Sequence, residues 1–235
     1  MAGPEHERSG FFDSERIELV ATIVMAAAAI LTAWAAFQSA KWSGIQAIEF
    51  SRANAARLES TRFDDRASQL AAIDVDVFLS WLEAVSDEID SGTMVVDPET
   101  GYSPVQGTLS AFFYDRMRDE FKPAFDAWLE ARPLLNPNSP KTPFQMELYV
   151  LADAEEADRL LEEADSHGKA ALTANQNSDN HVLTAVALAL AIFFSGVSTK
   201  MDGRTSRLIA ISLSTLIFIG AATVLILLPK VRPFG

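Results

Sequence analysis

Residues 17–37 form an unbroken apolar run of 21 residues whose only charge is Glu18, near its start. At about 1.5 Å of helical rise per residue, such a run spans roughly the 30 Å hydrocarbon core of a bilayer. Lipid offers no hydrogen-bond partner to a peptide N–H or C=O, so this segment has to be a helix. A cleaved signal peptide has a shorter apolar core and a basic start. Here Glu5, His6, Glu7 and Arg8 precede the run, which reads as a retained span. Residues 182–197 add 16 uncharged residues and reach 181–199 when His181, Ser198 and Thr199 are placed at headgroup level. Residues 208–228 add 21 more and are closed by Pro229, Lys230 and Arg232. The link 200–207 turns at Asp202-Gly203 and makes the last two spans an antiparallel hairpin. The expected order is a polar segment 1–16, a first span 17–40, a second span 181–199, a third span 208–228 and a tail 229–235.

Charge separates the remainder. The chain is 49% hydrophobic, yet its net charge is −13. Residues 41–180 hold 12 Lys and Arg against 26 Asp and Glu, net −14, and everything outside them sums to +1. The fold class that follows is an all-α integral membrane protein with three transmembrane helices and an acidic helical extramembrane domain inserted between the first and second. No basic patch faces phosphates, so nucleic acid is not an expected partner. The expected partners are the lipid bilayer, further copies of the chain, and another membrane protein or a basic partner of the acidic domain. Three of the eight residues in link 200–207 are basic, which puts that link and the amino terminus in the cytoplasm. The acidic domain is then extracytoplasmic, on a multi-pass protein of the cell membrane. The absence of cysteine fits either compartment.

Within the acidic segment, Gly44 is the only breaker before Ser91-Gly92, so the first helix is expected to leave the bilayer without stopping. Its far half repeats Leu70, Ile73, Val77, Trp81, Val85 and Ile89, with Asp74, Asp76, Glu83 and Asp87 between them, which predicts one buried apolar face. Residues 51–62 are small and polar nearly all round, as in a stretch that bridges through water or packs closely on another helix. Extended pieces at 93–96 and 102–105 around the turn 97–101 allow a small hairpin. A second helix starts at Thr108 or Ser110, carries Phe113, Met117, Phe121, Ala124 and Trp128, kinks at Pro123 and stops at Pro133. A third starts near Thr142-Pro143, follows Phe144, Leu148, Leu151, Ala154, Leu161 and Ala164, and returns to the membrane through Asn175, Asn177 and Asn180.

The sharpest motif lies where the two regimes meet. Trp34, Gln38, Trp42 and Gln46 recur at steps of four and share one helix sector at the membrane boundary. An interfacial tryptophan belt with amides bonded to a neighbouring helix is the leading reading. A polar constriction at a pore mouth is the functional alternative. Arg52, Asn54 and Arg57 lie two to three turns further on, suited either to an anion or to intrahelical pairs such as Arg52 with Glu49. Ala28, Thr32, Ala36 and Ala40 form a row of small residues, the usual route to close helix contact in lipid. The stretch 33–47, of the form AWxAxQxxxWSGxQ, resembles a family of uncharacterised prokaryotic membrane proteins, as do Ser51-Arg52-Ala53-Asn54 and Phe193-Phe194-Ser195-Gly196-Val197. The resemblance implies three spans and no mechanism.

Other constellations are poorer. Glu155, Asp158, Glu162 and Asp165 form a like-charged stripe, read as a solvated face rather than a cation site. Glu163 and His167 are spaced one residue too far for a di-iron Glu-x-x-His pair. With His6, His167 and His181 as the only histidines, zinc ligation and Cys-His catalysis have little material, and no Gly-x-Ser-x-Gly, phosphate loop or dinucleotide fingerprint occurs. No catalytic residue, cofactor or metal is expected. The functional expectation is a non-enzymatic interaction or scaffold protein that self-associates through the first span and its stalk. The alternative is an oligomeric channel or sensor with residues 38–57 lining a central axis.

Overall fold

The computed structural model describes residues 5–94, 101–133 and 135–232, with side chains from Glu15 onward. Five α-helices follow in order: α1 (Glu5–Asp90), α2 (Leu109–Arg116), α3 (Lys122–Glu130), α4 (Ala152–Ser198) and α5 (Arg204–Leu227), with a 3-10 turn at Pro143–Gln145 before α4. No strand occurs among the described residues, and α1, α4 and α5 are each long and apolar enough to cross a membrane. Of the small hairpin expected around 97–101, residues 95–100 lie outside the described residues, and the expected extended piece at 102–105 forms no strand. The chain divides into two compact units, Met1–Ala53 with Asp165–Gly235, and Asn54–Ala164. Packing thus draws a tighter acidic unit than the charge partition at 41–180. It still holds 9 Lys and Arg against 23 Asp and Glu.

In the first unit, α1 and α4 run antiparallel. Ser195 Oγ donates to the Ala21 carbonyl at 3.2 Å, Ser178 Oγ lies 2.9 Å from Ser39 Oγ, and His167 Nδ1 lies 2.6 Å from Glu49. Each step forward along α1 is matched by an equal step back along α4. The contact row on α1 is Ala21, Ala28 and Ala35, all fully buried, and it recurs every seven residues. This corrects the four-step row of small residues: Ala28 is buried while Ala36 and Ala40 are exposed. A row at steps of four drifts about 40° per step, so it crosses from the inner face to the outer one. Helix α5 closes the group with Ser214 Oγ donating to the Ala191 carbonyl at 2.7 Å. Its Ala221 and Leu225 join Ala28, Ala35 and Leu188 in one apolar cluster.

In the second unit, Ser60 Oγ donates to the Ala157 carbonyl at 2.8 Å, and Ala56, Ala67 and Ala164 are buried, so the small polar stretch 51–62 is a close-packing surface. Further along α1 the core is aromatic, with Phe78, Trp81, Met117, Phe121, Phe125 and Trp128 packed together. The buried face is rotated from the expected one. Ile73 and Ile89 are exposed, whereas Asp74 and Glu88 are buried. Burial of each acid is offset by bonds. Arg118 donates from Nε and Nη2 to the two oxygens of Asp74 at 2.9 and 2.8 Å, and the Tyr149 hydroxyl donates to Asp74 at 3.1 Å. Burial and the Asp74 charge push the Tyr149 hydroxyl up to about 12, and hydrogen bonding to Asp74 raises the Arg118 guanidinium further. Glu88 accepts from the Ser110 N–H at 2.8 Å and from its hydroxyl at 2.7 Å. With Thr108 Oγ1 accepting from the Ala111 N–H, it satisfies orphan donors at the start of α2.

The second helix is broken rather than kinked. It ends at Arg116, and α3 begins at Lys122 with Pro123 in its first turn. A proline has no N–H for the preceding turn and fits the first turn of a new helix, so Pro123 starts α3 instead of bending α2. The Thr142-Pro143 start also shifts. It makes only the 3-10 turn, leaving Leu148 exposed, and α4 begins at Ala152 with Asp153 and Glu155 in its first turn, favourable to the helix dipole. From there α4 runs through Asn175, Asn177 and Asn180 without a break. Asp74→Asn removes the charge that pairs Arg118 in a buried site. It should cost about 3–5 kcal/mol, read as a lower unfolding midpoint of the full chain in detergent, whereas Asp76→Asn, at an exposed neighbour, should leave the midpoint unchanged.

Candidate functional site

The membrane-boundary motif sits on α1 within the first unit, and its four members face different surroundings. Trp34 is exposed and its ring lies 5.7 Å from that of Phe37. Gln38 is fully buried. Its Nε2 donates to the Val231 carbonyl at 3.0 Å, and its Oε1 accepts from the Val231 N–H at 2.8 Å. One side-chain amide thereby serves both backbone groups of a residue that lies beyond the end of α5. Trp42 is half-buried and donates from Nε1 to the Pro229 carbonyl at 3.2 Å. Lys230 Nζ donates to the Ile226 carbonyl at 2.9 Å, a cation on the last turn of α5. Gln46 is half-buried one turn further on.

The physical need is plain. After Leu227 the backbone has left its helix, so its N–H and C=O groups require partners at the depth where the apolar run ends. Gln38 and Trp42 supply them. Both polar atoms of the Gln38 amide are bonded to Val231, and the side chain is fully buried within the chain.

Beyond the motif, Arg52 Nη1 lies 3.0 Å from Glu49, whose other oxygen meets His167. Arg52 is exposed and this surface pair contributes little to stability. Asn54 and Arg57 fall in the second unit, both exposed, with the Thr61 hydroxyl donating to the Arg57 carbonyl at 3.0 Å.

Residues that the four-step spacing misses complete this boundary. Ser178 Oγ lies 2.9 Å from both Ser39 Oγ and Ser43 Oγ and donates to the Ser39 carbonyl at 3.1 Å. His181 is fully buried, and its Nδ1 is 2.8 Å from the Asn177 carbonyl. A carbonyl only accepts, so Nδ1 carries the proton and Nε2 is left without a partner among the described residues. The stripe Glu155, Asp158, Glu162 and Asp165 is exposed on α4, and Arg159 pairs instead with Glu156 and Glu163 at 2.7 and 3.1 Å. No group of three His, Asp or Glu among the described residues is placed to hold a metal ion.

No family model matches the chain, and neither a curated protein nor a solved structure matches it. Gln38→Leu should free the segment after α5: backbone exchange at Val231 should rise by about tenfold or more in deuterium-exchange mass spectrometry, with that of α2 unchanged.

Proposed function

We propose that the chain is a non-enzymatic membrane protein of the interaction or scaffold kind, which self-associates through its first span and displays an acidic helical domain outside the bilayer. One observation carries the self-association. Ala26, Ala29, Ala33, Ala36 and Ala40 are all exposed on α1 and fall at alternating steps of three and four. A helix with a second small face, left over after its own hairpin has used the first, is shaped for a close helix neighbour in lipid. The stalk contributes Ser43, Gly44 and Ala47, which continue that exposed face. A Cβ at Gly44 meets nothing within 4 Å inside the chain, so the room there is open to a neighbour.

The channel reading requires Gln38 on an open axis and has no supporting observation, since Val231 holds both ends of that amide. The proposed orientation, with the link and the amino terminus cytoplasmic, is supported by Lys200, Arg204 and Arg207 in the short link.

Two measurements test this reading. In mild detergent or nanodiscs the wild-type chain should be oligomeric by light scattering, and Ala33→Leu with Ala36→Leu should raise the dissociation constant by about tenfold or more, equivalent to about 1.4 kcal/mol. A monomeric wild type in both media would overturn self-association. For topology, a single cysteine at Ser91 in this cysteine-free chain should react with an impermeant maleimide on intact cells; reactivity only after lysis would reverse the orientation.

A further inference from the structure

The second unit carries a groove of about 500 Å³ along the far end of α1, with Phe78, Leu79, Leu82 and Trp128 on the α1 and α3 side and Pro140 and Lys141 opposite. Two of its walls belong to a longer feature. Val75, Leu79, Leu82 and Ile89 are exposed at 38, 54, 37 and 39% of their surface, although water surrounds them in the reading of this unit as extramembrane. They occupy one sector of about 80° on α1, in the three-four-seven spacing with which a helix meets a second helix. Next to that stripe, on the flank away from the groove floor, lie Asp76, Glu83, Asp87 and Asp90. All four are exposed, and none is in an ion pair with another described residue.

We propose that this surface docks a basic amphipathic helix of a partner protein. The inference rests on the reading of the chain as an interaction protein and names the chemistry of its partner. Three parallel features select the occupant. The groove and stripe offer an apolar track one helix wide, which takes residues at i, i+3, i+4 and i+7. The four acids form a rail along one side of that track, matching Lys or Arg on one flank of the incoming helix. Lys141 on the opposite wall is the single basic lining residue and sets the reverse preference there. A second copy of the chain is the poorer occupant, because two units that each carry 9 basic against 23 acidic residues repel one another.

The test uses full-length protein in nanodiscs and a fluorescein-labelled helical peptide of 21 residues, with Leu at its a and d positions and Lys on one flank. A second peptide has Glu in place of each Lys. The basic peptide should bind and lose affinity with added salt, and the acidic one should not bind. Leu79→Ser with Leu82→Ser should weaken binding by about tenfold or more, and Asp76→Asn with Glu83→Gln and Asp87→Asn should weaken it by about fivefold or more. Neutralising the α4 stripe, by Glu155→Gln, Asp158→Asn and Glu162→Gln, should leave binding unchanged. Equal losses from the α4 and α1 variants would reduce the binding to non-specific charge and overturn the proposal, as would tight binding of the acidic peptide. An oligomer dissociated by Leu79→Ser with Leu82→Ser would assign the surface to a second copy and overturn it as well. Light scattering on the same samples separates the two readings: absent peptide binding with an intact oligomer removes this docking surface alone, whereas a monomeric wild type removes the self-association.

Discussion

Helices in a bilayer gain almost nothing by burying apolar surface against one another, because lipid tails are as apolar as leucine. What holds them is close backbone approach and hydrogen bonds that water cannot contest. The first unit is built on that constraint. Fully buried alanines at 21, 28 and 35 bring α1 near its neighbours, and hydroxyls then reach across to backbone carbonyls: Ser195 to Ala21, Ser178 to Ser39, Ser214 to Ala191. Every one of these bonds requires a small residue beside it. Larger side chains along that row would separate the backbones and leave the hydroxyls facing lipid without partners.

The second unit uses the same helices under other physics. Its core is assembled from large aromatic rings, such as Trp81 edge-on to Phe125 at 4.8 Å and Phe121 stacked on Phe144 at 5.2 Å. It also admits two buried carboxylates, Asp74 and Glu88, each with full bonding. A buried ion pair adds little net stability over an apolar pair of the same volume. Its two ends are still intolerant of mismatch, so Asp74 fixes where Arg118 and Tyr149 must sit. The loop between α2 and α3 is therefore shaped by a residue more than forty positions away in the chain.

That distance explains what could and could not be read in one dimension. The spans were legible because hydropathy and length are properties of a contiguous run, and lipid leaves helix as the only answer. Gln38 and Trp42 stand out by spacing alone, but their partners Val231 and Pro229 lie at the other end of the chain and carry no mark of the contact. On the far face of α1, Trp81 and Val85 are buried as their spacing predicts, but apolarity alone would also bury Ile73 and Ile89 and expose Asp74 and Glu88. Burial was decided by Arg118 and Ser110, which turn two acids inward and leave two isoleucines outside. Pro123 is legible as an interruption, but proline is compatible with a kink or a start, and only the structure shows it in the first turn of α3, next to the loop that carries Arg118 to Asp74.

The excess of negative charge then acquires a location and a sign. Of the carboxylates described in the second unit only Asp74 and Glu88 are buried, so nearly all of the surplus is surface and the fold does not need it. A surplus that large works against the compact state through self-repulsion and works against contact between two such units, while it draws basic partners. The two proposed contacts therefore divide by medium. In the proposal, copies would meet where α1 presents uncharged alanines, and foreign helices would meet the acidic unit, where like charge works against a second copy. A chain whose apolar and acidic halves first look contradictory can keep self-recognition and partner recognition on one helix because the charge that forbids the first contact at one end favours the second.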